Sequence, residues 1–277
     1  MTRSKLVRSV ALGGFVAFLM AACGVGTSVP MPPVIPTPEP EEDNQPLKVA
    51  TAPPFPPFEF KEGNDDKSQL VGFDIDLINA ISQQTGRKIE IQTMSFDELT
   101  PALQAGKVDV AISGIAITEE RSQLVDFSRP YIDASLVIAT RTDSQNIASE
   151  ADLKGKTLAV ELGTPGADKA IEIMGSKIIT SSSPEEALEA LTAGEVDAVI
   201  HSRPLLLAAI ATQDQTNIRL VDSALTESFY GIALPQNSPH TRSIDRALGE
   251  LMENGTYTEI YQKWFDSTPS ELPKTAF

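Results

Sequence analysis

An eleven-residue segment occurs twice in this chain and constrains its fold more than any other feature. Residues 102–112 read ALQAGKVDVAI and residues 190–200 read ALTAGEVDAVI, with seven identical positions at a spacing of 88 residues. Each copy has the pattern of a helix end, a glycine stop and a buried strand. Such self-similarity predicts two lobes built on one plan. The alternative is that one ordinary α/β packing unit has converged locally on the same pattern.

The rest of the chain alternates between strand and helix patterns, which indicates an α/β fold. Strands are predicted at 47–51, 89–91, 108–112, 157–161, 177–179, 196–200 and 229–234. Helices are predicted at 73–84, 96–105, 167–174, 184–193, 204–211, 238–253 and 256–265. Residues 131–140 and 229–234 are the candidate crossings between lobes. Two crossings make a hinge, and a hinge between α/β lobes creates a cleft where ligands bind.

The first 22 residues have the pattern of a secretory signal peptide. They begin with three basic residues, Arg3, Lys5 and Arg8. The 13 uncharged residues at 10–22 are too few for a comfortable membrane span and fit a signal-peptide core. The lone Cys23 follows small residues, and the segment resembles a bacterial lipobox, although Met20 stands where leucine is usual. The sequence therefore predicts lipidation at Cys23; the alternative is an ordinary signal peptide with a chance cysteine.

Residues 23–46 are predicted to form a tether. Seven prolines and a run of acidic residues lie between positions 24 and 46. Proline cannot continue a helix or a ladder, so this segment is expected to be extended and solvated. A lipid anchor followed by a stiff spacer predicts a domain held off a membrane surface, outside the cytoplasmic membrane, in the periplasm or at the cell surface.

Composition excludes several classes of function. A net charge of −16 argues against nucleic acid as a partner. One cysteine excludes intramolecular disulfides and Cys-rich metal sites, and two histidines argue against a multi-His site, so no metal or cofactor is expected. Nucleophile motifs and phosphate loops are missing, and His201 and His240 have no evident partners. Asp74 and Asp76 are expected at a helix start, where the dipole favours acids.

Residues 112–121, reading ISGIAITEER, are the most informative stretch. A buried strand ends in small residues, and Thr118 is placed to cap a short helix whose first turn contains Arg121. A cation in the first turn is disfavoured by the helix dipole, so the dipole does not explain why an arginine stands there. Open backbone N–H groups and a guanidinium together bind carboxylates. The alternative is a surface Arg121 paired with a neighbouring glutamate.

Several segments, taken in order, resemble the family 3 extracellular solute-binding proteins. They are GFDIDL at 72–77, residues 97–110, residues 112–121, VDFSRPY at 125–131, LKGK at 153–156 and NGTY at 254–257. The resemblance covers roughly residues 47–266. It is specific for the family and much less so for the ligand.

The resemblance implies a two-lobed periplasmic-binding-protein fold (type II-like) of the α/β class, with a hinge and an interlobe cleft. It further implies a monomer that closes on a small-molecule ligand, an amino acid or related carboxylate, and delivers it to an ABC permease. The expected segments are a signal peptide at 1–22, the lipidated tether at 23–46, lobe 1 at 47–138, lobe 2 at 139–232, and a return to lobe 1 at 233–277.

The resemblance also implies roles for individual residues. Arg121 is expected to clamp the ligand α-carboxylate, with help from the backbone N–H of Ala116 and from Thr164 in lobe 2. Ser113 is expected to offer a backbone acceptor to the α-ammonium.

Two aromatic residues, Phe55 and Phe96, match positions whose rings sandwich the ligand side chain. Ordinary core packing is the alternative for both.

Three departures from the family pattern concern the ligand. Ala52 and Ser202 stand where the family often has acids, the second of which pairs with the α-ammonium; Pro165 stands where a threonine often follows Thr164. A desolvated ammonium without a carboxylate costs several kcal/mol. Glu161, at a lobe-2 strand end, is the candidate partner for a cationic ligand group, the alternative being a solvent-facing strand residue.

Two other classes of function stay open from the sequence. One is a periplasmic enzyme on this fold, such as a cyclohexadienyl dehydratase, which needs a cleft acid. Ser202 stands where relatives place that acid, although Glu161 offers another. The second is a ligand-sensing partner of a separate receptor.

Overall fold

The structure is a computed structural model that describes residues 45–63 and 68–275. The predicted signal peptide, Cys23 and nearly all of the tether lie outside the described residues. The strands are β1 (Leu47–Thr51), β2 (Phe60–Glu62), β3 (Gln69–Val71), β4 (Ile89–Thr93), β5 (Val110–Ala111), β6 (Val125–Phe127), β7 (Ile132–Asp133), β8 (Leu136–Arg141), β9 (Thr157–Glu161), β10 (Lys177–Ser181), β11 (Ala198–Ser202), β12 (Ile218–Leu220), β13 (Phe229–Tyr230) and β14 (Ala233–Pro235). The helices are α1 (Phe73–Thr85), α2 (Phe96–Gln104), α3 (Glu119–Ser122), α4 (Pro165–Glu172), α5 (Pro184–Thr192), α6 (Arg203–Thr212), α7 (Thr241–Asn254) and α8 (Thr256–Phe265), with a 3₁₀ turn at Glu150–Leu153.

Two five-stranded sheets have equivalent topologies. Their strand orders are β4-β1-β5-β14-β6 and β10-β9-β11-β8-β12. In each sheet the first three strands are parallel, and the last two add antiparallel pairings. We call the first sheet with its helices lobe 1 and the second with its helices lobe 2. The two copies of the repeat supply the central strands β5 and β11, which confirms the prediction of two lobes on one plan.

The repeated aspartate joins neighbouring strands in the same way in both lobes. The Asp109 carboxylate accepts from Lys48 N at 2.8 Å, and Asp109 N donates to Lys48 O at 2.9 Å. In lobe 2 the Asp197 carboxylate accepts from Thr157 N at 2.8 Å, and Asp197 N donates to Thr157 O at 2.8 Å. Each aspartate therefore fixes the register of the central strand against the first strand of its lobe.

The repeated glycine ends a helix. Gly106 and Gly194 follow α2 and α5 with φ of 64° and 76°, in the left-handed region that favours glycine. Their N–H groups donate to Leu103 O and Leu191 O, which satisfies carbonyls at the helix ends. The glycine turns the chain from the helix into the buried strand.

The two predicted crossing segments pair with each other. β7 and β13 form an antiparallel ribbon, flanked by hydrogen bonds from Tyr131 N to Tyr230 O and from Ala134 N to Ser228 O, both at 2.8 Å. The expected lobe boundary at 138/139 falls inside β8, whose strand pairings are with lobe 2. We therefore propose that the first crossing lies within residues 132–135.

Helix α6 contacts the cores of both lobes. Leu206 and Ala209 are buried in lobe 2, whereas Leu205 and Leu207 pack against the lobe-1 core. At the start of this helix Arg203 Nε pairs with Asp133 Oδ2 of β7 at 2.8 Å. The helix that follows β11 is therefore fastened to the hinge ribbon.

Glycine at position 72 lets α1 begin directly against Phe58. Gly72 has φ of 140°, and a Cβ there would lie 2.0 Å from Phe58 O. Phe58 O instead accepts from Asp74 N at 3.0 Å, and the Phe58 and Phe73 rings meet edge to face. This close approach brings the first turn of α1 beside the loop that contains Glu59.

Some predicted elements differ from the observed ones. The strand predicted at 229–234 is two strands, β13 in the hinge ribbon and β14 in lobe 1, because the chain leaves one sheet and enters another there. The hairpin β2–β3 and the edge strands β6 and β12 were not predicted; each has only three residues, which is too short for a clear alternation. In the described part of the chain, no helix is both long and apolar enough to cross a membrane.

We expect Asp197→Ala to lower the free energy of unfolding by about 1–2 kcal/mol, because it leaves the backbone N–H of Thr157, at the start of β9, without its acceptor. Urea denaturation monitored by circular dichroism measures this. Asp222→Ala is the control, since Asp222 lies in an exposed turn of the same lobe. Equal stability of the two variants would contradict the proposed role of the repeated aspartate.

Candidate functional site

The segment after β5 pairs with the segment around Tyr230, and this pairing sets the direction of the Ala116 N–H and C=O groups. Ile117 N–H donates to Phe229 O at 2.9 Å, and Gly231 N–H donates to Ile115 O at 3.0 Å. In such an antiparallel arrangement the residue between the two bonds directs its own N–H and C=O away from the partner strand. The N–H of Ala116 therefore projects to the same side as its carbonyl.

The Arg121 side chain lies on the side to which the Ala116 carbonyl points. Its Nη1 donates to Ala116 O at 3.0 Å, and its guanidinium lies over the Phe96 ring, with 5.3 Å from Cζ to the ring centroid. Thr118 caps the single turn α3 by accepting from Arg121 N at 3.2 Å, as predicted. No ion pair in the described residues contains Arg121, so the alternative of a pairing with a neighbouring glutamate is wrong. The guanidinium is held by a carbonyl and a ring, and a carboxylate can still bind it.

A cavity of about 270 Å³ between the lobes is lined by four of the predicted site residues. They are Phe55 and Ala116 from lobe 1, and Thr164 and Ser202 from lobe 2. Phe96 and Arg121 line a separate cavity of about 170 Å³. Ala116 connects the two, because it lines the first cavity and accepts a hydrogen bond from the arginine of the second.

Phe55 both packs and lines the cleft. Its ring stacks on Phe58 at 5.0 Å and an interplanar angle of 17°. It also lines the 270 Å³ cavity and a further one of about 300 Å³ that contains Glu161 and Glu185. Phe96 is 42% exposed and lies against the Arg121 guanidinium. The two rings therefore occupy different cavities in this structure, and neither is ordinary buried core.

Glu161 pairs with a histidine that the sequence analysis left without a partner, so that expectation for His201 was wrong. Ser202 N–H donates to His201 Nδ1 at 2.8 Å, so Nδ1 is an acceptor and Nε2 carries the hydrogen. His201 Nε2 then donates to Glu161 Oε2 at 2.9 Å. Burial lowers the pKa of His201, so the imidazole is neutral at physiological pH. A neutral imidazole orients the carboxylate of Glu161 without cancelling its charge.

Thr164 begins the helix that faces the cavity. It is the N-cap of α4, and its hydroxyl donates to Glu161 O at 2.8 Å. Thr164, Pro165 and Gly166 all line the 270 Å³ cavity, so the positive end of the helix dipole lies there. Gly166 permits close packing, because a Cβ at that position would lie 2.6 Å from Ile200 O.

Ser113 faces away from the cleft into the protein. Its hydroxyl accepts from Ala52 N at 3.1 Å and donates to the carboxyl of Glu59. The next residue, Gly114, donates its N–H to Asp74 Oδ2 at 2.9 Å, and Tyr131 OH donates to the same oxygen at 2.9 Å. Asp74 lies in the first turn of α1 as predicted, but it is completely buried rather than placed at a solvated helix end.

Sequence analysis missed Glu59, Tyr131 and Tyr230 as parts of this region. Tyr230 lines the cleft and, with Phe55, packs against Gly114. One signal for Glu59 was available, because this acid stands between Phe58 and Phe60 in an otherwise apolar segment. No short-range signal marks the tyrosines, since their contacts join segments far apart in the chain. The described residues contain no group of three or more His, Cys, Asp or Glu side chains able to hold a metal ion.

Two matched lobes bring a helix N-terminus to the interlobe cavity, with a guanidinium and a carboxylate in the cavities beside it, an arrangement suited to a small charged solute. Residues 47–267 match the family model of the bacterial extracellular solute-binding proteins, family 3. The chain belongs to this family. The resemblance noted in the sequence is thereby confirmed, as is the two-lobed fold, and binding of a solute is the role that the family assigns.

Relatives with known names agree with this assignment. The arginine-binding extracellular protein ArtP of Bacillus subtilis (strain 168) is 31% identical over 254 residues, covering 90% of this chain and 94% of ArtP. An ancestral arginine-binding protein bound to arginine is 40% identical with a TM-score of 0.55, covering 79% of this chain and 97% of that one. The GlnP substrate-binding domain 2 of Lactococcus lactis, in open conformation, is 29% identical with a TM-score of 0.68, covering 83% of this chain and 98% of that one.

The better superposition is on the open domain, although the arginine-bound protein is more similar in sequence. The predicted site residues are divided between separate cavities in this structure.

Proposed function

We propose that this solute-binding protein serves an ABC importer and captures an amino acid with a cationic side chain between its lobes. The observation that carries the proposal is the presence of opposite charges on the two lobes, each in a cavity beside the interlobe one. Arg121 stands beside Ala116 on lobe 1, and the carboxylate of Glu161 stands on lobe 2 with only a neutral His201 as its partner.

The α-carboxylate of the ligand binds on the Arg121 side. The guanidinium is anchored by one nitrogen to Ala116 O and supported by the Phe96 ring, which leaves other N–H groups to bind a carboxylate. The N–H of Ala116 projects to the same side. On closure, the N-terminus of α4 at Thr164 adds its dipole from lobe 2.

The cationic side chain binds near Glu161. This residue lines a cavity of about 300 Å³ together with Phe55 and Glu185, so that an aromatic ring and two carboxylates face the same space. A guanidinium stacks on an aromatic face and binds a carboxylate at its edge. The named relatives that bind arginine support the same class of ligand.

Closure links binding to delivery. A ligand that contacts Arg121 on lobe 1 and Glu161 on lobe 2 stabilises the closed arrangement by its differential affinity for it. The two crossings pair in the short ribbon of β7 and β13, which is where we expect the chain to bend, and the Arg203–Asp133 pair links α6 to this ribbon. A permease can then distinguish the loaded from the empty protein by lobe position.

We expect arginine, lysine or histidine, rather than acids or apolar amino acids, to stabilise the purified protein in a thermal-shift panel. A ligand at 100 times its dissociation constant adds about 2.7 kcal/mol of stability. Arg121→Gln is expected to abolish the shift, because the carboxylate loses its charged donor. Arg242→Gln, at an exposed position of α7, is the control. A panel in which no amino acid shifts the melting temperature would refute the proposed function.

We expect Glu161→Gln to weaken arginine binding about tenfold or more, as measured by calorimetric titration. The amide still accepts from His201 Nε2, so the geometry is kept while the charge is removed. Binding of glutamine, which lacks the side-chain cation, is expected to change little. Glu172→Gln, exposed at the end of α4, is the matched control in the same lobe. Equal losses for arginine and glutamine would contradict the role of Glu161 in selecting a cation.

We also propose that the protein is a lipoprotein, with its mature chain beginning at lipidated Cys23. The support is the sequence pattern alone: a basic segment, an uncharged core, small residues and then the lone cysteine. The proline-rich residues that follow suit a spacer between the anchor and the lobes.

We expect Cys23→Ser to move the protein from the membrane fraction of expressing cells to the soluble fraction, because the single anchor is lost. Immunoblots of the two fractions measure this, and Cys23→Ser should leave arginine binding unchanged since Cys23 precedes the folded lobes. A wild-type protein found entirely in the soluble fraction would contradict the proposed anchor.

A further inference from the structure

Two carboxyl groups lie together behind the strand end that faces the ligand. Glu59 and Asp74 are both 0% exposed. They lie close enough for each to shift the pKa of the other, Glu59 from the turn after Phe58 and Asp74 from the first turn of α1. Glu59 also accepts from Ser113, and Asp74 accepts from Gly114 N and Tyr131 OH.

The contacts indicate that the pair shares one proton. The remaining oxygens, Glu59 Oε2 and Asp74 Oδ1, accept from no other donor in the described part of the chain. Two ionised carboxylates cannot face one another in a buried site, whereas one proton between them satisfies both oxygens. Burial raises the pKa of both groups, to about 7 for Asp74 and about 10 for Glu59. The pair therefore carries one negative charge at slightly alkaline pH.

No cation neutralises this charge from within lobe 1. Among the described residues, neither Glu59 nor Asp74 takes part in an ion pair with a basic side chain. The other titratable groups facing the pair are tyrosines: Tyr131 before β7, Tyr230 of β13 and Tyr257 of α8. Burial raises the pKa of Tyr230 to about 12 and raises those of Tyr131 and Tyr257 further, so all three are neutral.

Ser113 and Gly114 lie between the pair and two rings that line the cleft. Ser113 and Gly114 are bonded to the pair on one side, and the Phe55 and Tyr230 rings cover Gly114 on the other. A Cβ on Gly114 would lie 2.6 Å from the Phe55 ring and 3.2 Å from that of Tyr230, and both rings line the interlobe cavity. The charge is thus shielded from water and lies behind the part of the cleft wall that the Phe55 and Tyr230 rings form.

We propose that the Glu59–Asp74 pair supplies the counter-charge for the ligand α-ammonium, acting through Ser113 and Gly114 in place of a carboxylate in the cleft. This explains how an ammonium is accepted although Ala52 and Ser202 stand where acids were expected. Glu59 and Asp74 are positioning residues, because neither contacts the cleft. The proposal rests on the proposed function, since it requires a ligand with an α-ammonium.

The test compares arginine with 5-guanidinopentanoate, which is arginine without the α-ammonium. Calorimetric titration gives the ratio of their dissociation constants, and effects on the guanidinium or carboxylate subsites cancel in that ratio. The double variant Glu59→Gln/Asp74→Asn removes the charge but keeps the shapes. We expect it to reduce the preference for arginine about tenfold or more, because a buried charge acts on the ammonium through a medium of low dielectric constant.

Two further variants separate charge from structure. Glu59→Gln imitates the protonated carboxyl and leaves Asp74 ionised, so this conservative change should restore most of the preference for arginine. Asp76→Asn is the matched control, since Asp76 lies in the same helical turn and pairs with Lys263 at the surface. An unchanged preference in a folded double variant, while wild type binds arginine, would overturn this inference and leave the proposed function intact.

A titration of the wild-type protein decides the question even if the double variant fails to fold. As pH falls from 8 to 5.5 the pair takes up its second proton and becomes neutral, while the α-ammonium stays charged. The preference for arginine should therefore decrease on acidification. A ratio independent of pH would overturn the inference. If another amino acid proves to be the ligand, the same ratio is measured with its deaminated acid; if none binds, both proposals fail.

Discussion

Four segments of lobe 1 meet at the buried carboxyls of Glu59 and Asp74, and the position of the binding site depends on this contact. The turn at Phe55 and Glu59, helix α1, the end of β5 and the start of the hinge at Tyr131 each place a donor or an acceptor there. Because buried polar groups must be satisfied, displacing one segment would leave partners in the others unbonded. The network therefore fixes the end of β5, the turn at Phe55 and Glu59, and the start of the hinge at Tyr131 relative to one another.

In the proposed function, charge is distributed so that neither lobe alone binds both ends of the ligand. Lobe 1 holds Arg121 beside Ala116, and lobe 2 holds Glu161 beside a neutral His201. A ligand that reaches only one lobe gains little from closure, whereas one that bridges both gains the differential free energy that shifts the population. Selection for a zwitterion with a second positive charge then follows from the same geometry that drives closure.

Much of the fold was predictable because its determinants are local. The repeated glycine and aspartate at Gly106, Asp109, Gly194 and Asp197 mark the helix ends and strand registers of both lobes. The position of Arg121 at a helix start led to the prediction of a carboxylate site, which stays a prediction, and the structure shows that the guanidinium contacts Ala116 O and the Phe96 ring. The acid pair was not predicted, because it joins groups 15 residues apart across the β2–β3 hairpin. His201 was missed for the same reason, since its partner lies on another strand, 40 residues away.

A carboxyl pair behind the strand differs physically from a carboxylate in the cleft. A carboxylate in the cleft is solvated in the open form and must lose water as the lobes close, which offsets part of its attraction for an ammonium. The Glu59–Asp74 charge is already desolvated, and Ser113, Gly114 and Tyr131 hold it through hydrogen bonds that need not change on closure. Burying this charge therefore costs free energy during folding and lowers the stability of lobe 1. Binding then gains the attraction without a second desolvation, which is the advantage of a preorganised electrostatic site.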